Sequence, residues 1–320
     1  MKAAIINQFG NPDVFEIKNT EKPIIKSDQV LIKVKAVSLN PIDWKQRKGN
    51  HKYILGSPFP IILGYDLSGE VEEVGTEISK FKKGDLAFGV LDNKYGGALA
   101  EFAVGHEKCF SLKPKDLSYE EAAAVPMVSL TSLQAFRDIV NLQAGQTVLV
   151  NGASGGVGHV AIQIAKMMGA KVIAVASSKS KEFIEQFKPD SFIDYAETDV
   201  LKMDKKVDVF FDVVGNYTFP KTKHLLNSEG IYLNLNYLNS LTKLPVNKFH
   251  ELFTKKKAKS FLMKQNSADL KIIADWISEG KLKINIDKTF QLEQISEAHE
   301  YSQKGHNKGK NIVVINNSNN

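Results

Sequence analysis

The segment Thr147-Val-Leu-Val-Asn-Gly-Ala-Ser-Gly-Gly-Val-Gly-His-Val-Ala-Ile-Gln-Ile-Ala-Lys166 restricts the possible folds more than any other stretch of this chain. A short apolar strand runs into glycines at 152, 155 and 158, and apolar text at helical spacing follows. Glycine lets a chain turn sharply off a strand and lets backbone approach a bulky polyanion. The first turn of the helix then presents amide N–H groups and a positive dipole end, which suit phosphate. Ala161 and Ala165, one turn apart, keep such a helix close to its sheet. With a second strand starting at Lys171, the spacing predicts a dinucleotide pyrophosphate site made by Gly152, Ala153, Ser154, Gly155, Gly156, Val157 and Gly158. The same text contains Gly152-Ala-Ser-Gly-Gly156, the pattern of a hydrolase nucleophile elbow with Ser154 at its centre, and His224, His250, His299 and His306 follow it. A hydrolase has no use for Gly158 or for the β-rich region before the motif, so the dinucleotide reading is preferred.

That region runs from Lys2 to about Pro114 as short β-like stretches broken by glycine and proline, for example Gly84-Asp-Leu-Ala-Phe-Gly-Val90, and predicts a barrel or sandwich. The texture changes near Leu117. Ser118 with Glu121 three residues on reads as a capped helix start; an alanine-rich helix, a break at Pro126 and a second helix through Ile139 follow. Strands and helices then alternate through Lys171-Val-Ile-Ala-Val-Ala176, Phe192-Ile-Asp-Tyr195, Val207–Val214 and Gly230–Leu235, which predicts a parallel sheet covered on both faces. After Asn266 come a helix over Ala268–Glu279, a second over Leu292–Ser302 and a last strand from Asn311. The expected division is 1–117, 118–265 and 266–320, the tail returning to the first domain.

Charge and cysteine content narrow the setting. The net charge is +6, yet of 42 basic residues only Arg47 and Arg137 are arginine. Base-reading surfaces favour the planar arginine fork, so the lysines, Lys255–Lys257 with Lys259 included, read as a solvated face and no nucleic-acid partner is expected. No apolar run is long enough to span a bilayer, and Met1–Asn7 turns polar too soon for a secretion signal. The one cysteine, Cys109, has no internal partner, as expected of a cytoplasmic protein.

The strand at 171–176 ends in Ser177-Ser178-Lys179-Ser-Lys181, and no carboxylate appears before Glu182. An NAD site usually places Asp or Glu at this point against the ribose 2′-hydroxyl. Two hydroxyls and two ammonium groups instead attract a 2′-phosphate, so NADP is the expected cofactor.

Further stretches carry a family likeness: Ser38-Leu-Asn-Pro-Ile-Asp-Trp-Lys-Gln-Arg-Lys-Gly49, Leu63–Gly75, Gly96–Phe102, Leu130-Thr-Ser132, Phe211-Asp-Val-Val-Gly215 and Gly309-Lys-Asn-Ile-Val-Val314. Over nearly its whole length the chain resembles the zinc-independent quinone oxidoreductase branch of the medium-chain dehydrogenase/reductase superfamily, in particular the NADPH-dependent quinone and alkenal/enone reductases. The resemblance implies an α/β architecture, with a doubly wound parallel Rossmann sheet inserted into a GroES-like β-barrel catalytic domain and an active site in the cleft. It implies Tyr195 beside Ser177 and Lys181 at the 2′-phosphate, and Thr131, Val214, Gly215, Leu235 and Asn236 along the nicotinamide end. Lys308 is assigned to the phosphates, and a homodimer is expected.

Zinc-dependent members use a cysteine and a Gly-His-Glu motif where this chain reads Asn40-Pro-Ile-Asp43 and Gly64-Tyr-Asp66; Gly105-His-Glu107 with Cys109 lies far downstream and reads as a turn before a strand. No metal is therefore expected. Without a Lewis acid, reduction of a conjugated carbonyl is the easier chemistry: the charge that develops on oxygen needs only a hydrogen-bond donor, and water can supply the proton. The expected reaction is hydride transfer from NADPH to a quinone or to the C=C bond of an α,β-unsaturated carbonyl. Asn40 and Tyr53 are the candidates to contact the carbonyl, Tyr65 competes with Tyr53, and Asp43 fixes the loop. Two alternatives stand beside this reading: a quinone reductase without enone activity, and a non-catalytic, crystallin-like protein that binds NADPH or RNA.

Overall fold

The computed structural model describes residues 1–235 and 245–315. The chain forms two compact units, one from Met1–Leu130 with Gln265–Asn320 and one from Thr131–Lys264. The first unit is thus interrupted by the second. The helix Tyr119–Ala124, expected to open the second domain, packs within the first: Ala123 and Ala124 lie buried against Ala36 and Ile312. Small side chains let this helix approach the strands closely, and the division falls after Leu130 rather than at 117. Its start is the capping box read from the sequence, with Ser118 Oγ accepting the Glu121 amide at 3.1 Å and Glu121 Oε2 accepting the Ser118 amide at 2.8 Å.

The first unit opens with strands β1 (Lys2–Ile6), β2 (Phe15–Asn19), β3 (Gln29–Leu39), β4 (Ile61–Ile62), β5 (Asp66–Val74), β6 (Leu86–Val90), β7 (Phe102–His106) and β8 (Phe110–Leu112). β3 is long and bends at bulges between Leu31 and Ile32 and between Val34 and Ala36, which lets it pair with both β5 and β7.

The second unit holds β9 (Thr147–Asn151), β10 (Lys171–Ala176), β11 (Ser191–Asp194), β12 (Val207–Asp212), β13 (Leu226–Asn234) and β14 (Lys257–Ser260). All pairings are parallel, in the order β11-β10-β9-β12-β13-β14. The central strands carry buried apolar runs, Val148–Val150, Val172–Ala176 and Val209–Phe211, as strands covered on both faces do. Counted within the unit, the strand order is three-two-one-four-five-six, the doubly wound Rossmann arrangement, whose direction reverses between β9 and β12.

The returning tail adds β15 (Ile286–Gln291) and β16 (Lys310–Val314) to the first unit and completes a sheet in the order β15-β16-β3-β5-β6-β8. β16 lies antiparallel to β3, with Asn311 opposite Leu39. The core of this unit joins both chain ends: Val37, Leu67, Phe110, Phe290 and Val313 are packed together and buried.

Candidate functional site

In the second unit the glycine loop has the geometry that its spacing predicts. β9 ends at Asn151, the helix Gly156–Met167 follows, and Gly155 is its N-cap. Gly152 adopts φ +88°, a left-handed conformation that glycine alone takes without strain. A Cβ on Gly158 would lie 2.1 Å from the Gly152 carbonyl oxygen, so only glycine allows the helix this close. Gly155 is different. Its φ is −74°, and the nearest atom to an added Cβ would be the Gly152 oxygen at 3.6 Å. Nothing in the protein itself demands glycine there, and the open space lies where helix amides point outward. This is a cradle for a polyanion, and the residues fit a dinucleotide pyrophosphate. Ala153 is buried; Ser154, Gly156 and Val157 are half-buried along the loop.

Among the described residues of the second unit, the histidines have partners other than Ser154. His159 bonds the Gly155 carbonyl and packs on Phe183 and Phe187, His224 bonds the Leu201 carbonyl, and His250 meets Lys223. His299 is buried beside Phe15 in the first unit.

At the end of β10, Ser177 is half-buried and Ser178, Lys179 and Lys181 are exposed; Tyr195, beyond the end of the neighbouring β11, is 49% exposed. One carboxylate enters this group unforeseen. Asp194 stands opposite Ala176 in register and accepts the amides of Ser178 at 3.0 Å and Ala196 at 2.9 Å. Those backbone bonds hold its carboxyl below the usual range. The acid that the sequence lacks before Glu182 is thus present in space, turned onto the backbone.

Beyond β12, Val214 is 59% exposed and lies over Gly152, whose added Cβ would meet Val214 Cγ2 at 2.6 Å. Gly215 takes φ +79°. The loop is anchored by Asp212, which sequence reading missed, and by Asn151 and Asn234, which stand beside it in register on β9 and β13. Each ends an apolar strand with a polar side chain, and that was the signal available. Thr131 is buried, Leu235 is half-buried just past β13, and Asn236 lies outside the described residues.

In the first unit, Asn40, Asp43, Asp66 and Lys310 form a buried polar cluster, each at most 3% exposed. Asn40 is the N-cap of the helix Pro41–Arg47, and Asp43 Oδ2 accepts the Asn40 amide at 2.6 Å, so Asp43 does fix this turn. Asn40 Nδ2 donates to Asp66 Oδ2 at 2.9 Å and to the Ser38 carbonyl at 3.3 Å, while Asn40 Oδ1 accepts Lys310 Nζ at 2.5 Å. The side chain expected to reach a substrate carbonyl is therefore committed to protein partners, because β16 carries Lys310 alongside it. Burial pushes Asp43 up to about 7, with the nearby Asp66 charge adding to the effect. Burial drives Asp66 and Lys310 toward their neutral forms, and the opposite charge at 3.4 Å opposes this in both.

Tyr65 is buried, its hydroxyl donating to the Lys94 carbonyl and accepting from Gln46 Nε2, both at 2.7 Å. Tyr53 is 92% exposed on the one-turn helix Lys52–Leu55. Lys308 is exposed beside Gly309, its carbonyl accepting Asn285 Nδ2. Gly105-His-Glu107 ends β7 and enters a short turn; His106 pairs with Asp92 at 2.8 Å, and Cys109 is buried. Among the described residues no three His, Cys, Asp or Glu side chains are grouped to hold a metal. A zinc ion does not fit the Asn40 cluster, where the Lys310 ammonium already faces Asp66 and the Tyr65 phenol is bonded elsewhere.

Known proteins match this architecture. Residues 26–115 match the model of the alcohol dehydrogenase GroES-like domain, and residues 188–313 match that of the zinc-binding dehydrogenases. The chain is 36% identical over 301 residues to the chloroplast envelope quinone oxidoreductase homolog of Arabidopsis thaliana, covering 91% of each chain. It is 32% identical to the NADPH-dependent alkenal/one oxidoreductase of the same plant, covering 98% of this chain and 79% of that one. The solved structure of the quinone oxidoreductase from Coxiella burnetii superposes with a TM-score of 0.92 at 33% identity, covering 99% of both chains. With a GroES-like unit interrupted by a Rossmann unit and relatives of this identity along its length, the chain belongs to the quinone oxidoreductases of the medium-chain dehydrogenase/reductase superfamily.

Proposed function

We propose that this protein is a zinc-independent, NADPH-dependent oxidoreductase that reduces a quinone or the C=C bond of an α,β-unsaturated carbonyl. The observation that carries the reading is the Gly155 cradle at the helix N-terminus, beside Ser177, Ser178 and Lys181 at the end of the next strand. NADPH, when bound, supplies the hydride. The chain's own part is to hold and orient. The first-turn amides at Gly156–Gly158 receive the pyrophosphate, and Ser177, Ser178, Lys181 and Tyr195 receive the 2′-phosphate. Thr131, Val214, Gly215 and Leu235 are assigned to the nicotinamide half, and Lys308 to the phosphates. Tyr53 is the proposed donor to the substrate oxygen on which charge develops; its exposure leaves the hydroxyl available. Asn40, bonded to Lys310 and Asp66, is assigned to holding the turn that opens the helix Pro41–Arg47.

A homodimer is proposed on the exposed apolar side chains Phe249, Leu252 and Phe253, which precede β14 at the edge of its sheet. A cytoplasmic setting is proposed on the single, buried cysteine. The test of the activity is loss of NADPH absorbance with a small enone and with an ortho-quinone, in the presence of chelator and with NADH as control. Turnover of the enone to its saturated ketone supports the full reading. Turnover of the quinone alone favours a quinone reductase and removes Tyr53 from its role, and no oxidation with either refutes the proposal.

A further inference from the structure

Asp212 closes β12 with its side chain fully buried and both oxygens occupied. Oδ1 accepts Asn151 Nδ2 at 2.7 Å and the Gly215 amide at 2.9 Å. Oδ2 accepts the Tyr217 amide at 3.0 Å and the Tyr232 hydroxyl at 2.9 Å, with Asn234 Nδ2 at 3.5 Å. One carboxylate thus ties together the ends of β9, β12 and β13 and folds the segment between Val213 and Tyr217 back over the strand ends. In that fold Val214 comes to lie over Gly152.

Ligands of doubly wound sheets bind beyond the carboxyl ends of the strands where the strand order reverses, here between β9 and β12. The adenosine ribose of a dinucleotide lies toward the end of the second strand, here β10 with Ser177. The β12 side therefore takes the other half. We propose that Asp212 is a positioning residue for the nicotinamide half of the cofactor, holding Val214 and Gly215 in place and leaving the 2′-phosphate end to other groups; this rests on the NADPH reading above. Two backbone amides, two side-chain amides and a phenol converge on the carboxylate, and no neutral side chain of this shape can accept all of them. In Asp212→Asn, an NH2 in place of Oδ1 turns a donor onto Asn151 Nδ2 and the Gly215 amide, and an NH2 in place of Oδ2 turns one onto the Tyr217 amide, while the Tyr232 hydroxyl can pass its proton to the Tyr217 carbonyl at 2.8 Å.

The test is binding, measured by calorimetry on the full chain with two probes, NADPH and adenosine 2′,5′-bisphosphate, which lacks the nicotinamide half. Asp212→Asn is expected to raise the Kd for NADPH about tenfold or more and to leave that for the bisphosphate within about twofold. Equal weakening of both probes would reduce Asp212 to general support of the unit, and no change in either would leave it without a role; each overturns the proposal. Should Asp212→Asn not fold, Tyr232→Phe keeps the carboxylate and removes one donor. It is expected to weaken NADPH about threefold with the bisphosphate unaffected, and wild-type NADPH affinity in that variant would overturn the proposal. A wild-type chain that binds neither probe refutes the dinucleotide reading itself, before any substitution is made.

Discussion

Lys310 Nζ, buried at the start of β16, donates to the side-chain oxygen of Asn40 at 2.5 Å and faces Asp66 at 3.4 Å. The ammonium links the last strand of the chain to β3 and β5. Removing one member of a buried ion pair leaves the other uncompensated, at a cost of roughly 3–5 kcal/mol. Lys310→Met should therefore lower the denaturation midpoint sharply, and Lys310→Met with Asp66→Asn should recover much of the loss. A double variant no more stable than the single would contradict the pairing.

Two buried groups in the first unit pull the pH dependence of stability in opposite directions. Asp43 titrates near 7 in the fold against an ordinary 3.8. Between those values the folded state holds a proton that the unfolded chain has released, so stability falls as pH rises. His299 is held down to about 3, first by burial and then by the Arg47 charge, against an ordinary 6.5. There the unfolded chain binds the extra proton, so stability rises with pH. From about pH 4 to 6.5 the two slopes oppose each other. Asp43→Asn should reveal a rise with pH over that window, and His299→Leu a fall, each of the order of 1 kcal/mol per pH unit. Parallel profiles for the two variants would refute both assignments.

The glycines of the loop should separate by role. Gly158→Ala drives a Cβ to 2.1 Å from the Gly152 oxygen and should unfold or strongly destabilise the second unit. Gly155→Ala has room for its methyl, so it should melt near the parent temperature while NADPH affinity falls about tenfold. A Gly155→Ala chain with parent affinity would remove the cradle from the account.

Lys181 is exposed and lies 3.8 Å from Glu185 one turn on. Lys181→Ala should weaken NADPH about three- to tenfold and leave NADH unchanged. Equal loss for both cofactors would place Lys181 away from the 2′-phosphate. In the same way, Tyr53→Phe should lower kcat/KM for an enone about tenfold with NADPH binding intact; parent activity would return Tyr53 to an ordinary surface residue.

What could be read in advance follows locality. The glycine loop, the Ser118 cap and the alternation of strands and helices depend on neighbours in sequence, and the structure has them where the residues imply. The Asn40 cluster joins positions 40, 66 and 310, brought together only by the register of β16 on β3 and β3 on β5. Hence the bond from Lys310 to Asn40 is invisible in the sequence around position 40. The Asp212 junction likewise needs the in-register ends of three strands, although each of its side chains is visible as a polar residue after an apolar run. Asp194 lies beyond the end of β10 in sequence, and only the register of β11 on β10 brings its carboxylate onto the Ser178 amide.

The central claim is that this fold delivers hydride from NADPH to a conjugated acceptor. The most direct measurement uses NADPH deuterated at the transferring position, a small enone, and mass spectrometry with NMR of the product. The account predicts one deuterium at the β-carbon of the saturated ketone, with chelator present. A saturated ketone without deuterium, or NADPH left unoxidised by both the enone and an ortho-quinone, would contradict it.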